Sequence, residues 1–347
     1  MLKLLISPLA QGAYFQDLEA VALAEIHAMY PRLTAQVSHI GPLSFIDLTW
    51  SEGNHLSALM FGDRPDERLL NAAQNMDSEE DTPCYIALMR LSFVQAIFLP
   101  VDADVSAASS TIQCLDLSPR FKLPRALVSG SKYRGKTHEI VTQLGLNLAL
   151  RYSTAHPTSK PSLLDPMAGR GTTLLWAARY GINAVGIEID KRALEHFQRD
   201  TKRQTKLHRL KHKVQQGSLS QGKRSLRFLE FKWPESTSKL IQGDSRHVET
   251  LTGGQRFHYL VSDLPYGVQF GGEVRRNPLD LITECAPAWA RSLRVGGVMV
   301  LIFNTLQPKR RRLLEYLSTL DLEYIPVLMP HRVSESIERD LIVMRKL

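Results

Sequence analysis

At 347 residues the chain is longer than one hydrophobic core comfortably fills, so two domains are expected. Its 44% apolar and 22% charged residues describe a globular protein, and no apolar run nears the roughly 20 residues needed to span a bilayer. Three widely spaced cysteines, Cys84, Cys114 and Cys285, argue against a disulfide framework or a zinc site and fit a reducing, cytoplasmic setting.

The net charge of +8 is concentrated. Eleven Lys or Arg fall between Arg199 and Lys232 against only Asp200 and Glu230, so nearly all of the excess belongs to that segment. A patch of this kind is the footprint of a polyanion such as RNA.

In chain order, the opening "MLKLLISPLAQGAYFQD" is interrupted by Pro8 and lacks a small-residue cleavage site, so no signal peptide is expected. Residues 1–115 read as a smaller α+β domain. "DLEAVALAEIHAMY" has helical spacing, "PLSFIDLTW" and "QAIFLPVDA" read as strands, and "PDERLLNAAQNMDSEEDTP" reads as a helix entering an acidic loop. Residues 116–138 carry the proline, glycine and serine signals of a linker. From 139 to 347 strands and helices alternate, as in a parallel sheet covered on both faces. Asp165, Glu188, Asp244 and Asp263 fall at four successive strand ends, where such sheets bind ligands. A basic insertion, 199–235, interrupts the alternation.

In "DPMAGRGTT" the first of these strands ends at Asp165, and Ala168, Gly169, Gly171 and Thr172 open a helix. Small residues there let a ligand approach backbone amides, as dinucleotides and S-adenosylmethionine both require. Leu174 stands where a dinucleotide fingerprint needs a third small residue, and no Gly-Lys-Ser/Thr of a P-loop follows. Glu188 is positioned to accept from ribose hydroxyls, whereas Asp190 reads as a helix cap. Asp244, beside the Ser245 amide, suits either an adenine amino group or another cap.

The fourth strand runs into "SDLPYG". Hydrogen bonds from a planar amine to Asp263 and to a carbonyl beside Pro265 would localise the nitrogen lone pair. Pro265 removes a competing donor, and Tyr266 would stack on the base, an interaction worth roughly 1–3 kcal/mol. A dehydrogenase needs no such corner. An Asp at 263 leaves guanine N2 and cytosine N4 open as targets.

"DPMAGRGT", "GIEID", "QGD" and "SDLPYG", in this order, resemble class I S-adenosylmethionine-dependent N-methyltransferases. "DLPYG", with "KYRGKTHEIVTQLGLNLAL" ahead of the first strand, is most similar to the RNA methylase family, which includes the tRNA guanine-N2 methyltransferases. The resemblance covers roughly residues 130–347. It implies a Rossmann-like domain with a mostly parallel seven-stranded sheet, S-adenosylmethionine as cofactor, and RNA, tRNA first, as partner. It would place Asp165, Gly169 and Gly171 by the methionine part, Glu188 on the ribose, Asp244 by the adenine, and Asp263, Pro265 and Tyr266 on the target amine. This chain departs from many relatives in carrying Val268 and Gln269 where they have a basic residue, and residues 1–115 show no recognisable THUMP domain.

In the insertion, Arg199, Lys202, Lys206, Arg209 and Lys213 recur at three- and four-residue steps, so one continuous helix would align them against phosphates. Leu207, Leu210 and Val214 would lie beside them as an apolar stripe. "KRRR" at 309–312 reads as a solvated helix start. Phe228, Phe231 and Trp233 read as residues that pack the insertion down. The alternatives to RNA guanine-N2 methylation are adenine-N6 or cytosine-N4 methylation of DNA or RNA, and a non-catalytic RNA-binding scaffold. No metal site is expected.

Overall fold

The computed structural model describes residues 2–7, 17–31, 33–49, 88–100, 112–114, 121–130, 138–155, 160–221, 224–265, 278–334 and 337–347. The chain divides into two compact units, residues 1–120 with 328–338, and residues 121–327 with 339–347.

In the first unit β1 (Leu2–Ile6), β2 (Thr34–Ile40), β3 (Leu43–Thr49), β4 (Val94–Pro100) and β5 (Ile112–Cys114) form an antiparallel sheet of order β2-β3-β1-β4-β5. Helix α1 (Leu18–Met29) buries Leu18, Val21, Ala22, Glu25 and Ile26, a spacing that puts them on one face. Glu25 is satisfied there by the Ser92 amide at 3.0 Å and the Ser92 hydroxyl at 2.6 Å. The helix expected over "PDERLLNAAQNMDSEEDTP" lies outside the described residues.

After a single helical turn at Ala126–Ser129, the second unit continues with α2 (Glu139–Tyr152) and then alternates β6 (Ser162–Asp165), α3 (Thr172–Arg179), β7 (Asn183–Glu188) and α4 (Ala193–Leu207). A hairpin follows, β8 (Lys213–Gln221) and β9 (Arg224–Lys232), then β10 (Thr237–Gln242) and β11 (Phe257–Asp263). The chain continues through α5 (Pro278–Arg291), β12 (Leu293–Asn304), α6 (Arg310–Leu317), β13 (Leu322–Ile325), β14 (His331–Ser334) and β15 (Ile337–Lys346). The sheet has ten strands, ordered β13-β15-β12-β11-β6-β7-β10-β9-β8, with β14 paired to β15 off this path.

This corrects the expected seven-stranded, mostly parallel sheet. Strands β12, β11, β6, β7 and β10 are parallel neighbours, but β15 runs antiparallel to both β12 and β13. The hairpin adds two further antiparallel strands beyond β10. Its physical cause is in the insertion itself: Leu229, Phe231 and Trp233 alternate, are buried, and give β9 an apolar face to pack.

Along the central strands the apolar runs are continuous, as a sheet covered on both faces demands. Residues Val298 to Phe303 and Leu341 to Met344 are completely buried. Helix α2 covers one face closely: a Cβ on Gly145 would lie 3.2 Å from Val261 Cγ1. The opposite face, with Leu260, Leu301 and Phe303, packs against Cys285 and Trp289 of α5.

The continuous helix expected through Lys213 is also corrected: α4 stops at Leu207. Arg209 adopts the left-handed conformation at φ 52°, and the Leu210 amide donates back to the Thr205 carbonyl at 2.9 Å. The Arg209 amide donates to Lys206 at 3.4 Å, completing a Schellman-type stop. Leu207 is consequently 70% exposed and no apolar stripe with Leu210 and Val214 forms. Phe231 and Trp233 do pack the insertion, stacked 5.5 Å apart with Phe197 of α4 against Phe231 at 5.4 Å.

Candidate active site

The carboxyl ends of β6, β7, β10 and β11 deliver Asp165, Glu188, Asp244 and Asp263 to one edge of the sheet. Asp165 is the most enclosed, only 2% exposed. It accepts from the Ser262 hydroxyl at 2.8 Å and from the Met167 amide at 3.1 Å. Burial pushes its carboxyl up to about 7; hydrogen bonds from Ser262, Thr173 and Met167 oppose the rise, and the nearby Asp263 charge adds to it. It therefore supports the site from beneath.

The loop from Ala168 to Thr172 is shaped by two left-handed glycines, Gly169 at φ 51° and Gly171 at φ 77°. Their reasons differ. A Cβ on Gly171 would meet the Phe197 ring at 2.7 Å, so packing of α4 requires that glycine. A Cβ on Gly169 would meet nothing within 4 Å, so Gly169 faces open space. Three amides of this turn are already engaged: Ala168 donates to Ile187, Gly171 to Ala168, and Gly169 to Glu188. What the loop offers a ligand is bare backbone surface at Gly169. Thr172 sits half-buried at the first turn of α3.

Glu188 is the clasp of this loop. Its Oε2 accepts the Gly169 amide at 2.8 Å and its Oε1 the Asp190 amide at 2.9 Å. Burial raises its pKa, and these backbone hydrogen bonds counteract part of the rise. The Ile189 amide contributes as well, and three backbone donors against a carboxylate's roughly four acceptor sites leave room for a hydroxyl donor. Asp190 accepts from the Arg192 amide at 3.0 Å in the turn ahead of α4, so the cap expected of it is corrected: the N-cap of α4 is Arg192, which makes no side-chain cap bond.

Asp244 accepts from the Arg246 amide at 2.9 Å, and the Arg246 side chain grips both of its oxygens, at 2.6 Å in the closest contact. Burial works against ionisation, but the hydrogen bonds and charge of Arg246 prevail and lower its pKa. In this arrangement Asp244 acts as a cap and ion-pair partner. Ser245 Oγ accepts from Trp289 Nε1 at 2.8 Å, fixing the segment to α5.

At the end of β11 the Leu264 amide donates to the Ile302 carbonyl at 2.8 Å, and Leu264 is buried. Pro265 follows with no amide hydrogen. A cavity beside the corner is bounded by Met167, Leu264, Pro265, Phe303 and Asn304. Tyr266 lies outside the described residues. Sequence reasoning missed Arg339: its guanidinium, 6% exposed, lies 3.8 Å from the Asp263 carboxylate, which is 21% exposed. It also missed Ser262 and Arg246, whose roles depend on contacts with residues remote in sequence or with a local cap.

The basic residues do not form one stripe. Arg199, Lys202 and Lys206 are exposed on α4, with Arg199 beside Asp200 at 3.0 Å. Arg209 is exposed in the stop that follows. Lys213 opens β8 opposite Lys232, on the face alternating with that of Phe231 and α4. In "KRRR", Arg310 is not solvated: it pairs with Asp340 and donates to the Leu341 and Val327 carbonyls at 2.8 Å. Among the described residues no cluster of acids, histidines or cysteines is fit to hold a metal ion, and no helix is long and apolar enough to cross a membrane.

An open α/β sheet with a glycine turn after one strand, an acid after the next and an acid-Leu-Pro corner after another defines a methyltransferase domain. Residues 146–315 match the UPF0020 family model, described as RMKL-like, methyltransferase domain. Among solved structures, the chain is similar to TrmN from Thermus thermophilus at 14% identity over all of both chains, with a TM-score of 0.47. A rRNA methylase from Streptococcus thermophilus is 13% identical over 54% of this chain and 87% of that one, TM-score 0.34. A ribosomal protein L11 methylase from Lactobacillus delbrueckii subsp. bulgaricus is 12% identical over 60% and 78%, TM-score 0.36. No curated protein sequence matches the chain.

Proposed function

We propose that this domain transfers a methyl group from S-adenosylmethionine to an exocyclic amino group in RNA, guanine N2 first among the candidates and tRNA first among the RNAs. One observation carries the reading. Among the described residues that follow Asp263 the backbone donors are silenced, because the Leu264 amide is taken by Ile302 and Pro265 has none, so this part of the corner presents acceptors. A surface of acceptors suits a target that arrives as two N–H donors.

The cofactor, when bound, supplies a methyl group on an electrophilic sulfonium sulfur. The bare backbone at Gly169 gives its methionine part a close approach, and Glu188 has acceptor capacity left for ribose hydroxyls. Asp165, Ala168, Gly171 and Thr172 keep that loop in shape. Asp244, with the Ser245 backbone beside it, fits the adenine amino group only if Arg246 releases part of its hold. Asp263 and a carbonyl at 264 or 265 accept from the target amine, and Tyr266 stacks on its ring. As the N–CH3 bond forms and the S–CH3 bond breaks, the amine's surplus proton passes to Asp263. Alignment supplies most of the acceleration. Arg199, Lys202, Lys206, Arg209 and Lys213 would meet phosphates from two sides of the insertion.

The experiment is methyl transfer from labelled S-adenosylmethionine to total small RNA lacking this modification, followed by digestion and nucleoside separation. Label in N2-methylguanosine supports the full reading. Label in another nucleoside keeps the chemistry and replaces the target, and label that persists undiminished in Asp263→Ala refutes the corner's role.

A further inference from the structure

We propose that the open face of the β8–β9 hairpin docks a double-stranded stem of the RNA substrate, with Lys213, Lys232 and Lys239 on its phosphates. This rests on RNA being the substrate, and adds the surface that meets it and the form of RNA that the surface takes. In β9, Leu229 and Phe231 are buried toward α4, where Phe231 meets the Phe197 ring. Pleating therefore sends Phe228, Glu230 and Lys232 to the other face. The register carries that face across three strands. Lys213 lies opposite Lys232, and Gln215, Glu230 and Lys239 form the next rung.

The upper part of this face is closed: Leu219, Leu226 and Phe228 pack against the core that includes Ile241, Val248 and Leu251. Below them Lys213, Gln215 and Lys232 are exposed, and Lys239 and Glu230 are half-buried. Glu230 is engaged by Lys232 at 3.5 Å, and no acid pairs with Lys213 or Lys239 among the described residues. Three cations thus stand against one acid. Lys213 and Lys232 are roughly 5 Å apart at Cβ, with Lys239 roughly 7–8 Å from Lys232 on the diagonal, so one run of phosphates can meet all three.

The same rungs favour a duplex over unpaired bases. Lys239 Nζ sits 4.5 Å from the centre of the Phe228 ring, which holds the cation in place. The ring itself lies close over Gly217, where a Cβ would be 2.7 Å from it. With a cation over it and the core against it, Phe228 is no stacking platform. Cations and the Gln215 amide without a free ring suit the phosphates and 2′-hydroxyls by which a duplex is recognised. The face also leads to the site. Gln242 of β10 ends level with Glu188, and beyond Ile241 the hairpin continues to the pairing of Gln221 with Arg224. Lys213 and Lys232 stand level with Thr237, roughly 17 Å along the strands from Gln242. A stem lying along this face has its held phosphates to one side of the target nucleotide and its end at the edge where the acids stand.

The test is equilibrium binding by the full chain, with no methyl transfer required, to two RNA probes: a stem-loop with an uninterrupted stem, and an unstructured single strand of equal length. K213Q/K232Q/K239Q should weaken stem binding about tenfold or more and reduce the slope of log affinity against log salt by about two to three. Single-strand affinity and S-adenosylmethionine binding should be unchanged. If the triple variant fails to fold, K213Q/K232Q, at two exposed positions, gives the same reading with a slope change of about two. Unchanged stem affinity overturns the docking surface, and equal losses for the two probes overturn the choice of a duplex. A wild type that binds neither probe instead overturns the RNA reading beneath, so the failures are distinguishable.

Discussion

Ser262 Oγ donates a 2.8 Å hydrogen bond to Asp165 Oδ1, tying the ends of β11 and β6 together directly beneath the corner that carries Asp263. The acid it holds is buried and titrates at about 7, against 3.8 for a free aspartate.

A raised carboxyl pKa means that the folded state binds the proton more tightly than the unfolded chain. The contribution to stability is complete below about pH 4 and is lost as pH rises through about 7. Urea unfolding of wild type across this window should show stability falling with pH, and Asp165→Asn should flatten the fall. A slope unchanged in the variant would rule Asp165 out as its source.

The two glycines of the loop should separate by readout. Gly171→Ala drives a Cβ into the Phe197 ring and should destabilise the domain by more than the roughly 1 kcal/mol expected from left-handed strain alone. Gly169→Ala meets only open space, so it should cost about 1 kcal/mol of stability yet weaken S-adenosylmethionine binding the more strongly. Calorimetric titration and thermal unfolding of both variants check this, and equal affinity losses would contradict it.

Arg246→Ala tests the adenine end of the site. With the guanidinium removed, Oδ2 of Asp244 is released for a ligand amine while the residue-246 amide still completes the cap on Oδ1. Affinity for S-adenosylmethionine should rise a few-fold. An unchanged value would leave Asp244 as a cap alone.

Arg209 occupies a position that glycine prefers. Arg209→Gly should stabilise the end of α4 by roughly 0.5–1 kcal/mol, the relief of left-handed strain less the entropy of a glycine. The same variant removes a cation, so RNA affinity should fall and its dependence on salt should flatten slightly. Loss of stability would mean that the side chain is doing something besides ending the helix.

The corner and the four strand-end acids were legible because each rests on a local pattern: an apolar run, then an acid, then glycine or proline. The insertion was misread for a physical reason. Cations at three- and four-residue steps fit a helix, but a single left-handed residue at Arg209 ends it, and cation spacing carries no trace of that. The alternation of Leu229, Phe231 and Trp233 did carry the strand signal. Arg339 could not have been found locally. Nothing in "IERDLIVMRK" distinguishes it from a solvated strand start, and only the reversal of β15 against β12 brings it to Asp263.

The hairpin has a second consequence. Strand β8 ends the path of the sheet, and a bare sheet edge is a template on which another polypeptide can pair. Here that rim is written in Lys213, Gln215, Gln216, Gly217 and Ser218, all exposed, with Lys232 on the neighbouring strand. Two such rims brought together would set Lys213 and Lys232 against their own copies, with the half-buried Val214 and Leu219 as the apolar residues among the described side chains of β8. The cations of the hairpin thus work against pairing of two copies along β8.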